Sequence, residues 1–394
     1  MSFFSGYPFF FNLFILLIPA AILGLLGKSL KWYRLALSLY FIFEIYKDTK
    51  IQLLYLITYV LFAAAIVQLY LSIRKKNGRD VKVYRLFLCL SILPLLIYKI
   101  GFLFNVSIFG FLGISYICFR IVQVIIEIYD GVINEINVIQ FVGFLIFFPS
   151  LSSGPIDRSR RYNDDDNKIW TKNEYVELLT TGIYRLVLGI VYKSVFSSYF
   201  YGILQDKIVG NYTPLYLIAY AYIYGFYMFF DFAGYSSMAI GTAYILGIRL
   251  PENFNKPFIS IDIKDFWNRW HISLSTWFRD FIFSRFMVNS ARKKRFRNRL
   301  TGAAIGLIIN MGIMGIWHGF EPYYIIYGLY HGVILAITEI YQKKSDFYKK
   351  NKDKTFYKIV SWFITMNIVM FGFLIFSGYL YNQVVDYIII HYLG

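Results

Sequence analysis

Apolar residues dominate long stretches of the chain and set its first reading. Tyr7–Leu26, Ile51–Ile73, Val83–Phe104, Ile108–Ile128, Pro214–Phe232, Leu300–Ile316 and Tyr323–Ile340 are mainly apolar. Each approaches or exceeds the roughly 20 residues that a helix needs to cross hydrocarbon. Trp32–Tyr46, Val138–Phe148, Thr181–Phe200 and Ile359–Leu380 are further runs, broken by polar or small residues. The pattern predicts an all-α polytopic membrane protein with about 11 transmembrane helices, plus short interfacial and re-entrant helices. MSFFSGYPFF has no basic region and no small-residue cleavage site follows it, so the first run reads as a retained span.

The texture changes along the chain. Up to about Phe148 ordinary apolar helices alternate with short connections, and from Pro149 to Arg299 polar loops, Gly/Pro breaks and amphipathic pieces intrude. Irregular polar backbone at membrane depth is tolerated only where protein buries it or where it lines a wet cavity. A single membrane domain over residues 1–394 is therefore expected. Residues 1–148 supply N-terminal helices, 149–340 the core, and 341–394 a basic loop and the last helix.

Composition agrees: 58% of the 394 residues are hydrophobic and only 16% charged, below the roughly 25% of soluble domains. The charge is lopsided, 40 Lys+Arg against 23 Asp+Glu. The excess sits in Arg74–Arg85, Arg158–Arg161, Arg292–Arg299 and Lys343–Lys358. That distribution reads as the positive-inside signal of a multi-pass protein, with no need to invoke nucleic acid. It places the N-terminus outside, and the turn Trp317–Pro322 away from the cytoplasm or within the membrane. Cys89 and Cys118 lie in apolar runs and read as small hydrophobes.

No nucleophile elbow, Walker loop, dinucleotide fingerprint or HExxH is present. Asp164, Asp165 and Asp166 read as a solvated face rather than a metal site. The candidates are then histidines and charges in apolar surroundings, where such groups are costly. Asp265–Phe283 reads as one amphipathic interfacial helix carrying Arg269 and His271. His318 ends the run NMGIMGIWHG, in which Gly312 and Gly315 permit close helix approach and Asn310 adds a polar group. Asp231, inside YGFYMFFDFAGYS, must be paired or face a cavity. His331 reads as a packing or hydrogen-bonding residue, and His391 as incidental. An imidazole can take a proton from a hydroxyl and return it near neutral pH. Acyl transfer to a hydroxyl and a histidine-lined transport path both remain open on these residues alone.

Taken together, FLGISYICFR, SGPIDR, YGFYMFFDFAGYS, NFNKPFIS, FWNRWHISLS and WHG followed by YGLYHG resemble the membrane-bound O-acyltransferase (MBOAT) family. Within it they are similar to the branch that adds D-alanine to teichoic acids in Gram-positive bacteria. The resemblance covers nearly the whole chain. It implies a fold around a central funnel or tunnel, with His318 matching the family's essential histidine and His271 its second one. It implies a multi-pass protein of the cell membrane and no bound cofactor. The donor would be D-alanine on the phosphopantetheine arm of a small carrier protein, DltC. Lipoteichoic acid would be the acceptor, with DltD and the small membrane protein DltX as further partners. An acidic carrier would suit the cationic cluster Arg292, Lys293, Lys294, Arg295 and Arg297, with Phe286, Met287 and Val288 as an apolar contact. No metal is expected. The nearest alternatives are an O-acetyltransferase of alginate or peptidoglycan, and then a transporter or flippase.

Overall fold

The computed structural model describes residues 3–104, 106, 109–209 and 213–388. His391 and the start of the run expected at Ile108 lie outside them. Among the described residues the regular structure is helical, with a lone bridge between Phe254 and Trp270. Eight helices among the described residues are long and apolar enough to cross a membrane, from Tyr7–Leu25 to Thr355–Phe376. Three expected spans correspond to shorter helices: Lys31–Tyr46, Ile114–Asp130 and Val138–Leu145, of 16, 17 and 8 residues. Ile114–Asp130 buries Arg120, Gln123 and Glu127, which explains its diluted apolar signal.

The chain forms two compact units, Met1–Val191 with Gly234–Glu252, and Tyr192–Ala233 with Asn253–Gly394. In the first, buried charges organise the loops. Arg120, 1% exposed, donates to the carbonyls of Phe144 (2.5 Å), Leu145 (2.8 Å) and Ser150, and to Ser150 Oγ at 2.8 Å. One residue of FLGISYICFR thereby ties down the turn that leads into SGPIDR. Asp157 of that motif pairs with Arg161 at 2.5 Å.

The aspartate triplet departs from the solvated face expected of it. Asp165 is buried against Arg249 at 2.5 Å, and Asp166 is buried against Arg34 and Lys31. Only Asp164 is exposed. Paired charges are the form in which buried carboxylates are stable. The partners, far away in sequence, are why a local reading put all three in solvent.

In the second unit the helices Arg299–His318 and Pro322–Lys344 pack as a close pair. A Cβ on Gly315 would lie 2.5 Å from the Tyr324 carbonyl, and one on Gly328 would lie 2.5 Å from the Met311 carbonyl. Glycine is thus required at both crossings. Gly312 is different, since a Cβ there would make only ordinary contact, 3.6 Å from Leu329.

Candidate active site

Both candidate histidines lie in the second unit. The expected continuous helix over Asp265–Phe283 is instead broken at His271. Ile263–Arg269 ends, Trp270 is extended, and His271 takes φ 44° and ψ 51° before Ile272–Phe278 begins. Asn253–Asn255 causes the break by bonding across it. Asn255 N–H donates to the Arg269 carbonyl at 3.0 Å, and Ile272 N–H to the Asn253 carbonyl at 2.9 Å. Asn253 Oδ1 also accepts from Ser273 Oγ at 2.5 Å and from Ser273 N–H at 3.3 Å. A left-handed backbone is costly for a residue other than Gly, Asn or Asp, and such strain persists only where surrounding structure imposes it.

The strained residue is buried, with its ring edge-to-face on Phe232 at 4.7 Å. Its Nδ1 is buried without a hydrogen-bond partner. Burial holds the imidazole neutral down to a pKa of about 3, and the nearby charge of His318 pushes in the same direction.

His318 is the last residue of Arg299–His318, and the next helix starts at Pro322. It is half-buried among aromatic rings: Trp317 at 4.6 Å, Phe376 at 5.0 Å, Tyr324 at 5.9 Å and Tyr327 at 6.5 Å. Tyr327 in turn touches His331 at 4.7 Å, and His331 touches Trp267 at 5.3 Å. From Trp267 the contacts continue through Phe266, Trp270, Phe254 and Phe232 to His271, so a continuous run of rings joins the two motifs. His331 is a packing residue here: it is fully buried and neither ring nitrogen has a hydrogen-bond partner.

The other candidates separate. Asp231 pairs with Lys193, from within the unbroken helix Pro214–Ile245. Arg269 is paired with Asp265 at 2.7 Å. Asn310 is buried with Oδ1 unpartnered, two turns before His318 on the same helix. Of the residues expected at the carrier contact, Met287, Val288, Lys294 and Arg297 line a cavity of about 570 Å³. Phe286 meets Phe296 at 6.0 Å with the rings tilted by 44°, and lies under the Arg295 guanidinium at 5.6 Å. Arg292 and Lys293 are exposed at the end of the helix Ser284–Arg292.

Asn253 and Phe232 were not singled out from the sequence as site residues. Their only signal was their place in NFNKPFIS and FDFAGYS, since neither residue type announces chemistry.

The chain matches the membrane-bound O-acyltransferase family over residues 27–381. The chain belongs to that family. It is an O-acyltransferase and a multi-pass membrane protein. It is 41% identical to the teichoic acid D-alanyltransferase of Bacillus subtilis, over 96% of this chain and 98% of that protein. It is 40% identical to the teichoic acid D-alanyltransferase of Streptococcus thermophilus, over 95% of each. A probable alginate O-acetylase, AlgI, of Pseudomonas syringae is 35% identical over 68% of this chain and 49% of that protein.

Proposed function

We propose that this enzyme is a D-alanyltransferase of the DltB type, moving D-alanine to hydroxyls of teichoic or lipoteichoic acid. The carrying observation is that relatives near 40% identity over almost the whole chain bear the name teichoic acid D-alanyltransferase. The O-acetylase alternative rests on a match covering 68% of the chain.

The donor in this reading is the D-alanyl thioester of the phosphopantetheine arm of DltC, presented from the cytoplasm. The acceptor hydroxyl attacks the thioester carbonyl while His318 takes its proton. The tetrahedral intermediate collapses, the C–S bond breaks, and the imidazolium returns the proton to the departing thiolate. An ester and a free thiol result, with no further reactant needed. A general base of this kind contributes about 10²- to 10⁴-fold. The carbonyls at a helix C-terminus favour the positive charge that His318 acquires in the step. His271, kept neutral, offers its ring to orient or polarise the reacting groups.

DltC docks in this scheme at the cavity lined by Met287 and Val288, whose rim includes Lys294 and Arg297. An apolar floor with a cationic rim suits an acidic carrier. The acceptor lies outside, reached directly or through DltD or DltX, and the N-terminus faces out from a Gram-positive cell membrane.

The test uses proteoliposomes containing the purified chain, with DltD and DltX. They are given DltC loaded with labelled D-alanine or labelled acetate, and lipoteichoic acid as acceptor. The expected result is ester-linked D-alanine and little acetate. Equal transfer of acetate, or no D-alanine transfer, would overturn the reading.

A further inference from the structure

Between the spans Pro322–Lys344 and Thr355–Phe376 the chain makes only the short helix Asp346–Asn351. The second unit holds a cavity of about 750 Å³ at this hairpin. Its walls differ in chemistry. Ile334, Ile364 and Ile368, from the two spans, give it an apolar side, and Lys352, Lys354 and Lys358 line it as well.

These three lysines are exposed, and none has an ion-pair partner among the described residues. Among the described residues neither aspartate of the lining, Asp262 or Asp353, forms an ion pair with them. Asp262 is committed: Oδ1 accepts from the amides of Lys264 and Asp265 at 2.8 Å, and Oδ2 accepts from Gln342 Nε2 at 2.9 Å. Asp353 is one of two aspartates among seven lysines in residues 343–358. The helix Thr355–Phe376 starts without a side-chain cap, and its first-turn residues Phe356 and Tyr357 also line the cavity. Open amides at a helix start add to the attraction for an anion. Phe347 and Phe356 stand 64% and 79% exposed on either side of the hairpin, where the apolar spans give way to lysines.

We propose that this cavity is a binding site for an anionic phospholipid of the leaflet facing the basic loops. The phosphate sits among Lys352, Lys354 and Lys358, and one acyl chain lies along Ile334, Ile364 and Ile368. A soluble anion would satisfy the lysines and leave the apolar side wet. A neutral lipid would cover that side and leave the three cations without a partner. An anionic lipid meets both demands, and basic pockets between membrane helices on the cytoplasmic side favour such headgroups. The inference does not depend on which acyl group the enzyme transfers.

The full chain, purified in detergent, is tested for thermal stabilisation by short-chain phosphatidylglycerol, short-chain phosphatidylcholine, and inorganic phosphate. Phosphatidylglycerol is expected to raise Tm by several degrees, and the other two little. The variant K352Q/K354Q/K358Q loses that selectivity, and K352R/K354R/K358R keeps it. As a measurement that needs no variant, photoactivatable phosphatidylglycerol should crosslink within residues 334–368 of the native chain. Equal stabilisation by phosphatidylcholine, an effect reproduced by phosphate alone, or crosslinks confined to other segments would each overturn the proposal.

Discussion

Among the described residues the buried charges lie in the first unit, whereas the second buries neutral polar groups. In the first, buried charges are engaged: Arg120 donates to three backbone carbonyls, and Asp157, Asp165 and Asp166 each meet an arginine. In the second, His271 Nδ1, both nitrogens of His331, Asn310 Oδ1 and Asn253 Nδ2 are buried without a hydrogen-bond partner. Each such atom costs about 1–3 kcal/mol. The backbone at His271 adds strain of its own. The engaged charges hold loops in place, and unpartnered atoms occur in the first unit too, among them Arg120 Nε and Asp157 Oδ2. Both candidate histidines, and with them the proposed chemistry, belong to the second unit.

That contrast breaks first at Arg120. Arg120→Met deprives three carbonyls of their donor in a buried site, at an expected cost of about 3–5 kcal/mol. Little monodisperse protein should survive extraction, as read by size-exclusion chromatography; a normal yield would show that the network is dispensable. A smaller loss follows in the second unit from Gly328→Ala. Its new Cβ must move backbone that lies 2.5 Å away at Met311, an overpacking cost of about 1–3 kcal/mol. The Tm should fall by several degrees, whereas Gly312→Ala, whose Cβ would make only ordinary contact with Leu329, should leave it nearly unchanged.

The mildest effect is a pH dependence. His271 has a folded pKa of about 3, against about 6.5 when unfolded. Between those values the unfolded chain binds a proton that the native protein refuses. The stability contributed by this site is therefore complete above pH 6.5 and declines as pH falls toward 3. His271→Asn, chosen because Asn tolerates positive φ, should flatten that part of the decline in a series of Tm measurements from pH 7.5 to 4.5. An unchanged slope would show that His271 is not held neutral. The same variant should slow transfer less than loss of His318 does.

How much of this was legible in the sequence follows from range. The long spans were, because each declares itself through its own run of apolar residues. Ile114–Asp130 was read as a span and is a shorter helix with Arg120, Gln123 and Glu127 turned inward, because the groups that satisfy Arg120 lie more than 20 positions away. The break at His271 was invisible for the same reason. Phe266, Trp267, Trp270 and Trp277 have helical spacing, and only bonds from Asn253–Asn255 interrupt it. The aspartate triplet looked solvated because Arg34 and Arg249 are distant in sequence. His318 was found because a histidine closing an apolar run is rare, and Asn253 was passed over because asparagine in a loop is not.

The central claim is that His318 is the base in the acyl-transfer step, with His271 in a supporting role. The most direct test is transfer of labelled D-alanine from loaded DltC in membranes carrying native or His318→Ala protein, with folding and DltC binding measured in parallel. The account predicts a loss of at least about 10²-fold in transfer, with folding and binding intact. Near-native transfer by folded His318→Ala protein would contradict it and move the base to His271.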